Sequence, residues 1–242
     1  MKSKDQGLGS RGWGIGVGYW RLLNLLIAMV AASPGLAGGE TRQPDETDLR
    51  VTVRVYNYAR VSPADMATAE RVAARIFRQT GVELSWVDCP RTRQEAQQNP
   101  ACQSSHTPTE ILLRVVSEFP EGLRLPPSSM GFALGTLSPQ GGYLAGISYA
   151  RAQKQLPEVP GLTLGQLLGH GIAHEIGHLL LGMESHSPSG LMGAHWKAQE
   201  LMLAAYGQFN FSHSQAEVIR ADVGARMQMA EAARQPQVAT LE

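Results

Sequence analysis

The densest group of metal-ligating residue types lies in one short stretch, GHGIAHEIGHLLLGMESHSPSGLM, residues 169–192. Four of the seven histidines of the chain fall within it. His174 and His178 are four residues apart, so on an α-helix they lie on one face, one turn apart. Two imidazoles in that arrangement can reach a single ion, and zinc accepts nitrogen ligands. The spacing therefore predicts a zinc site on a helix.

A glutamate directly follows the first of these histidines, which completes the pattern His-Glu-x-x-His. Glu175 lies about 100° round the helix from His174. That offset keeps its carboxylate out of the ligand shell but near the open side of the ion. There it can take a proton from a bound water, so we predict Glu175 as the general base of a hydrolytic centre.

The third protein ligand must come from downstream, because a catalytic zinc usually takes three. Gly182 is expected to end the helix, after which the chain turns back. Glu184 and His186 then follow. Either side chain can fold over the metal, so the residues alone leave both candidates open.

The whole segment resembles the zinc-binding region of metzincin metallopeptidases. In that family HExxH is followed by x-x-G-x-x-H and by a methionine turn beneath the metal, and the HS…GLM continuation here is similar to the matrixin branch. The resemblance implies one zinc ion per chain held by His174, His178 and His186. It also implies Glu175 as the catalytic base and Met192 as the turn methionine.

The spacing departs from the family pattern after the second histidine. Gly182 comes one place late and His186 two places late, while Glu184 occupies the strict third-ligand position. We prefer His186, because a turn can absorb two extra residues and the HS…GLM continuation lines up with it. Glu184 is the alternative ligand. The resemblance covers residues 174–192 and implies a peptide or protein substrate, which an edge strand formed by GYLAGISY could bind by strand pairing.

The remaining histidines are assigned to supporting roles. His170, one turn before His174, is expected to support the metal site or to lie on the helix surface, with metal binding as the alternative. His195 and Trp196 are expected to pack ordinarily, with a place in the substrate pocket as the alternative. His106 and His213 are predicted to be surface or capping residues.

Length and composition fit one domain, or at most two small ones. The chain has 242 residues, 43% of them hydrophobic, which is enough for a substantial core. Its 21 basic residues are balanced by 21 acidic ones, so no basic excess indicates a nucleic-acid partner. We expect a monomer.

The N-terminal region has the pattern of a secretory signal peptide. Basic residues precede the apolar run LLNLLIAMVAA, residues 22–32, and Pro34 and small residues follow it. We predict a signal peptide over 1–37, cleaved near Ala37, and a secreted or periplasmic protein. An uncleaved anchor is the alternative, but the run is short of the ~20 apolar residues that span a bilayer. We expect no stable membrane association after cleavage, and a short linker over 38–48 that cannot block a cleft.

Export makes the two cysteines interpretable. Cys89 and Cys102 are the only pair in the chain, separated by a polar segment. In an oxidising compartment they are predicted to form one disulfide. Metal-ligating thiols are the alternative, which the absence of a paired C-x-x-C disfavours.

The chain predicts a mixed α/β (α+β) domain, with a twisted, partly antiparallel sheet, an active-site helix and a C-terminal helix. Gly171 and Gly177 predict that another backbone segment passes close to the active-site helix. The domain is expected over 49–230, with a flexible tail at 231–242. The predicted strands are 49–59, 82–88, 109–116, 131–137 and 142–150, the predicted helices are 63–79, 162–181 and 212–229, and 90–108 is a surface loop.

Three functional hypotheses follow from these residues. The first is a secreted zinc-dependent endopeptidase in which Glu175 serves a metal-activated water. The second is a secreted zinc-binding or scaffold protein that retains the metal site without cleaving peptides. The third is a buried helix whose histidines are accidental.

Overall fold

A computed structural model describes residues 49–103, 106–123, 125–135, 143–156 and 159–234, except for the side chain of Arg93. The predicted signal peptide and linker lie outside the described residues, as does 235–242 of the predicted tail. Within the described ranges, no helix combines the length and hydropathy needed to cross a bilayer.

A five-stranded mixed sheet forms one layer of the domain, in the order β2-β1-β3-β5-β4. Strands β1, β2, β3 and β5 are parallel, and β4 runs antiparallel to β5. This arrangement confirms the predicted fold class. The strands are β1 (Arg50–Asn57), β2 (Glu83–Asp88), β3 (Glu110–Val116), β4 (Gly131–Leu134) and β5 (Leu144–Ser148).

The prediction that GYLAGISY forms an edge strand is wrong. The segment GYLAGISY supplies β5, which lies between β3 and β4, and the strand at the end of the sheet is β4. Residues 145–148 of β5 are all buried, which suits an internal strand. By contrast β4 has only four residues, and Leu134 at its end is 46% exposed.

Three helices were not expected from the sequence: Arg93–Ala96, Tyr149–Gln155 and Ala198–Ala205. A short turn of helix lies within the predicted loop 90–108, which the predicted disulfide between Cys89 and Cys102 closes. The predicted strand 142–150 ends early because Ser148 caps a helix, its hydroxyl accepting from the Arg151 N–H. The last helix continues through the first four residues of the predicted tail, which are exposed, whereas Ala230 just before them is buried. The helices are α1 (Pro63–Arg78), α2 (Arg93–Ala96), α3 (Tyr149–Gln155), α4 (Leu164–Leu181), α5 (Ala198–Ala205) and α6 (His213–Arg234).

Helix α4 is the central element of the core and packs closely on α1. It begins at Thr163, which forms a capping box with Gln166. A Cβ at Gly165 would lie 2.9 Å from the Asp65 carbonyl oxygen, and one at Gly169 would lie 2.6 Å from that of Ala69. Backbone therefore does pass close to this helix, but at these two glycines rather than at the predicted ones.

Side chains, not backbone, fill the space beside the two predicted glycines. A Cβ at Gly171 would lie 2.6 Å from the Met130 methyl carbon, and one at Gly177 would lie 2.7 Å from the Met192 sulfur. The prediction was wrong about the neighbour and right about the crowding.

The end of α4 is anchored by α6 through a buried arginine. Arg226 is 2% exposed, and its guanidinium donates to the Leu179 carbonyl at 2.7 Å and pairs with Asp222 at 2.5 Å. The last carbonyls of a helix have no partner within the helix. Arg226 therefore satisfies a buried oxygen in the last turn of α4.

Candidate metal centre

Three histidine side chains converge at the C-terminal end of α4. The Nε2 atom of His178 lies 3.1 Å from Nε2 of His174 and 3.1 Å from Nε2 of His186. The candidate ligand atoms of the three residues all lie within 4.8 Å of one another. Three imidazole nitrogens directed at one point could hold a metal ion.

The other ring nitrogens of the two helical histidines are engaged. Nδ1 of His174 lies 2.7 Å from the Leu191 carbonyl oxygen, which can only accept, so this nitrogen carries the proton. Nδ1 of His178 lies 3.1 Å from the Ser185 hydroxyl. Such partners fix the ring orientation of a metal-binding histidine. For His174 the donated bond leaves a lone pair on Nε2, on the side of the cluster.

Burial keeps the helical imidazoles neutral. Desolvation lowers the pKa of His174 to about 4, and the neighbouring His178 and His186 act in the same direction. Desolvation and then His186 lower the pKa of His178 to about 4 as well. Neutral imidazole is the form that binds a metal, so both rings are available as ligands at neutral pH.

A glycine turn brings His186 to the cluster. Gly182, at φ +101°, follows the last residue of α4, and its N–H donates to the His178 carbonyl at 3.0 Å. A positive φ of this kind suits glycine and lets the chain reverse. His186 then meets His178, whereas Glu184 is exposed and lies outside the three-residue group.

The predicted turn methionine lies beside this helix. Met192 is fully buried, and its sulfur occupies the space that a side chain at Gly177 would need. The turn is closed by hydrogen bonds from Ser187 N–H to the Met192 carbonyl and from Gly193 N–H to the Gly190 carbonyl, at 2.9 and 2.8 Å. Met192 therefore packs on α4 immediately before His178.

Glu175 is buried next to the candidate ligand histidines and beneath the edge strand β4. Its side chain makes no hydrogen bond or ion pair with any other residue that the structure describes, and desolvation raises its pKa to about 8. A Cβ at Gly131 of β4 would lie 2.5 Å from its Oε1 atom. The carboxyl group thus needs a glycine in the facing strand.

An open cleft of about 630 Å³ contains both the cluster and Glu175. One wall comprises residues 127–133, including β4, and the other includes residues 193–196 and Leu201. Helix α3 contributes Arg151 and Lys154. The arrangement can admit an extended chain beside the histidines.

The remaining predicted histidines lie apart from the cluster. His170 is fully buried, its Nδ1 donates to the Gln166 carbonyl at 2.8 Å, and its Nε2 has no hydrogen-bond partner. It is a core residue and not a surface one. His195 is exposed in the cleft wall. His106 and His213 are exposed, as predicted, and the latter lies 3.3 Å from Glu217.

Sequence reasoning missed the groups that hold the turn in place. The Glu200 carboxylate accepts from the Gly190 N–H at 2.9 Å and from the Lys197 N–H at 2.8 Å. The Leu191 carbonyl accepts from Trp196 Nε1 at 3.1 Å, in addition to His174. Glu200 lies three residues after the cap position, a spacing that could have revealed it. A backbone carbonyl has no such signal.

The comparisons with known proteins give a distant structural likeness. No family model and no curated protein matches the chain. Among solved structures, the chain is similar to an archaemetzincin from Methanopyrus kandleri, at 17% identity and a TM-score of 0.46, over 73% of this chain and 97% of that one. A likeness this distant has no bearing on the chemistry of this site, which rests on its own geometry.

Proposed function

We propose that the protein is a zinc-dependent endopeptidase that acts after export. The observation that carries the proposal is the convergence of three imidazole nitrogens within 4.8 Å, in the same cleft as a buried glutamate. A hydrolytic zinc site needs this combination: three protein ligands, an open position and an adjacent base.

The donor set fits zinc. His174, His178 and His186 would hold the ion through Nε2, and imidazole nitrogens are donors of the kind zinc prefers. Among the residues that the structure describes, the group has no fourth side chain, and Glu184 lies outside it. A bound zinc would polarise the scissile carbonyl and lower the pKa of a coordinated water to about 7.

Glu175 would move the proton. With a cation beside it, the Glu175 carboxyl group would be ionised in spite of its burial. The carboxylate would then take a proton from the attacking water at Oε1 or Oε2 and deliver it to the leaving amine. Gly131 of β4 and helix α4 shield Glu175, which is only 7% exposed. In a site with so little water, the carboxylate has few competing hydrogen-bond partners.

A peptide or protein is the substrate class that the cleft would suit. Strand β4 is the last strand of the described sheet and runs along the cleft wall. An extended peptide could pair with it and present one peptide bond to the cluster. This assigns to β4 the role that the sequence suggested for GYLAGISY.

Export and a monomeric state are part of the same proposal. The Cys89–Cys102 disulfide supports an oxidising compartment, since such bonds form and persist there. The signal-peptide pattern in residues 1–37 supports the same compartment.

The test compares two glutamate variants of the mature protein, purified with zinc. Glu175→Gln should retain one zinc per chain and lower kcat on an unstructured protein substrate by about 10²–10⁴-fold. Glu184→Gln, which alters an exposed glutamate outside the cluster, is the matched control and should cleave normally. Chelation should abolish cleavage in the wild type.

The outcomes separate the three hypotheses. Normal cleavage by Glu175→Gln refutes the mechanism. Stoichiometric zinc with no cleavage of any unstructured substrate favours the zinc-binding protein without peptidase activity. Absence of zinc from protein refolded in its presence would mean that the histidines are accidental.

A further inference from the structure

The Leu191 carbonyl accepts two side-chain hydrogen bonds. One comes from His174 Nδ1 at 2.7 Å, and the other from the Trp196 indole Nε1 at 3.1 Å. A carbonyl oxygen has two lone pairs, so it can accept both. The indole is thereby connected to a metal-ligand candidate through one oxygen atom.

The indole ring is itself held in place by packing. Its centroid lies 5.8 Å from that of His174 and 5.3 Å from that of Phe209, in edge-to-face geometry in both cases. Phe209 is 2% exposed and therefore part of the core. The Trp196 N–H is thus directed at the Leu191 carbonyl by contacts on two sides.

The Leu191 carbonyl is not fixed by regular secondary structure. It lies between α4 and α5, in the turn that the Ser187 and Gly193 N–H groups close and that Glu200 holds through the N–H groups of Gly190 and Lys197. Those bonds hold the ends of the turn, on either side of Leu191. At the carbonyl itself, the partner other than His174 is Trp196.

We propose that Trp196 is a positioning residue for the metal site. Its indole N–H orients the Leu191 carbonyl, which fixes both the tautomer and the ring direction of His174 and thereby raises metal affinity. Outer partners of ligand histidines commonly contribute 10–100-fold in affinity, so about tenfold is expected for a group that acts through one carbonyl. This inference rests on the metal site of the proposed function, but not on peptidase activity.

The experiment removes the indole N–H at one tryptophan and compares it with another. Trp196→Phe keeps an aromatic ring and loses the donor. Trp86→Phe is the matched control, because Trp86 Nε1 is buried without a hydrogen-bond partner. Zinc dissociation constants, measured by competition with a chromogenic chelator, should rise about tenfold for Trp196→Phe and stay unchanged for Trp86→Phe.

A second variant separates the hydrogen bond from packing. Benzothienylalanine at position 196 keeps the bicyclic shape but replaces the N–H with sulfur. It should weaken zinc binding as much as phenylalanine does, with the Tm of the zinc-free protein close to that of the wild type. Wild-type affinity in this variant, or unchanged or tighter binding in Trp196→Phe, would overturn the proposal.

Nitrogen NMR of the zinc-free protein tests the same inference without any metal. In the wild type, His174 should show a single Nδ1–H tautomer, and in Trp196→Phe a mixture of tautomers. A single tautomer in both proteins would contradict the inference. A wild type that shows the single tautomer and binds zinc, but cleaves nothing, would instead refute the proposed peptidase and leave this assignment standing.

Discussion

The two halves of α4 carry similar histidines with different surroundings. His170 and His174 are one turn apart, both are buried, and each donates from Nδ1 to a backbone carbonyl. The Nε2 atom of His170 faces no polar partner, whereas that of His174 faces two further imidazoles. Burial and helical spacing therefore do not make a ligand. What makes one is a second chain segment, here residues 182–193, that returns to the same point.

Removing the ligand histidine should have the largest effect on this comparison. We expect His174→Ala to weaken zinc binding by more than about 100-fold, because a direct ligand contributes more than its outer partners do. His170→Leu should bind zinc as the wild type does. Isothermal titration of both variants checks this, and similar losses in both would erase the distinction between the two histidines.

Lowering the pH should reduce the free energy of unfolding through the buried His170. Desolvation lowers the pKa of His170 to about 4 from 6.5, so the unfolded state binds its proton first as pH falls. Stability attributable to this residue is therefore lost between pH 6.5 and 4, by about 3 kcal/mol at pH 4.

Urea unfolding of the zinc-free protein can isolate that contribution. As pH falls from 6.5 to 4, the free energy of unfolding should decrease more for the wild type than for His170→Leu. Subtraction at each pH removes the contribution of the other histidines, which both proteins share. A difference that stays constant with pH would show that His170 does not titrate as its burial requires.

Glycine substitutions should distinguish the two halves more finely. Gly169→Ala meets the Ala69 carbonyl oxygen of α1, which cannot move aside, and should cost about 2–3 kcal/mol of stability without altering zinc affinity. Gly177→Ala meets the Met192 sulfur, a flexible group, and should cost about 1 kcal/mol. The zinc affinity of Gly177→Ala should fall several-fold, because Met192 belongs to the returning segment 182–193. Denaturant unfolding and zinc titration of both variants measure these effects, and equal zinc affinities would contradict the second.

The smallest effect is expected at Ser185. Its hydroxyl lies 3.1 Å from Nδ1 of His178 and is only half-buried, so water can replace it. Ser185→Ala should weaken zinc binding by less than about tenfold. A loss as large as that of His174→Ala would mean that the returning segment acts mainly through this serine.

The sequence was most informative where spacing determines geometry. The HExxH pattern predicts that His174 and His178 share a helix face, and Gly182 predicts the reversal that brings His186 back. The order in which the strands, α1 and α4 follow one another along the chain also comes from local signals. The choice between Glu184 and His186 did not follow from the residues alone, since it depends on how a turn folds in three dimensions.

The errors arise where a local pattern is overridden or is absent. The apolar run through Tyr149 continues the strand pattern, although Ser148 already caps a helix. The sequence also suggested an edge position for β5. That prediction failed because the pairing order of strands depends on contacts between distant segments. The Leu191 carbonyl, which receives two donors, has no side-chain identity to read.

The buried guanidinium of Arg226 connects the far C-terminal region to this chemistry. It lies 47 residues beyond Leu179 in the chain, yet it donates a hydrogen bond to the carbonyl oxygen of Leu179, which directly follows His178. Removing the Arg226 side chain would leave that buried oxygen without this donor, at a cost of about 1–3 kcal/mol. We expect this loss to lower the affinity of the candidate site for a cation, although α6 contributes no ligand. The helix would thus support the metal site from a distance.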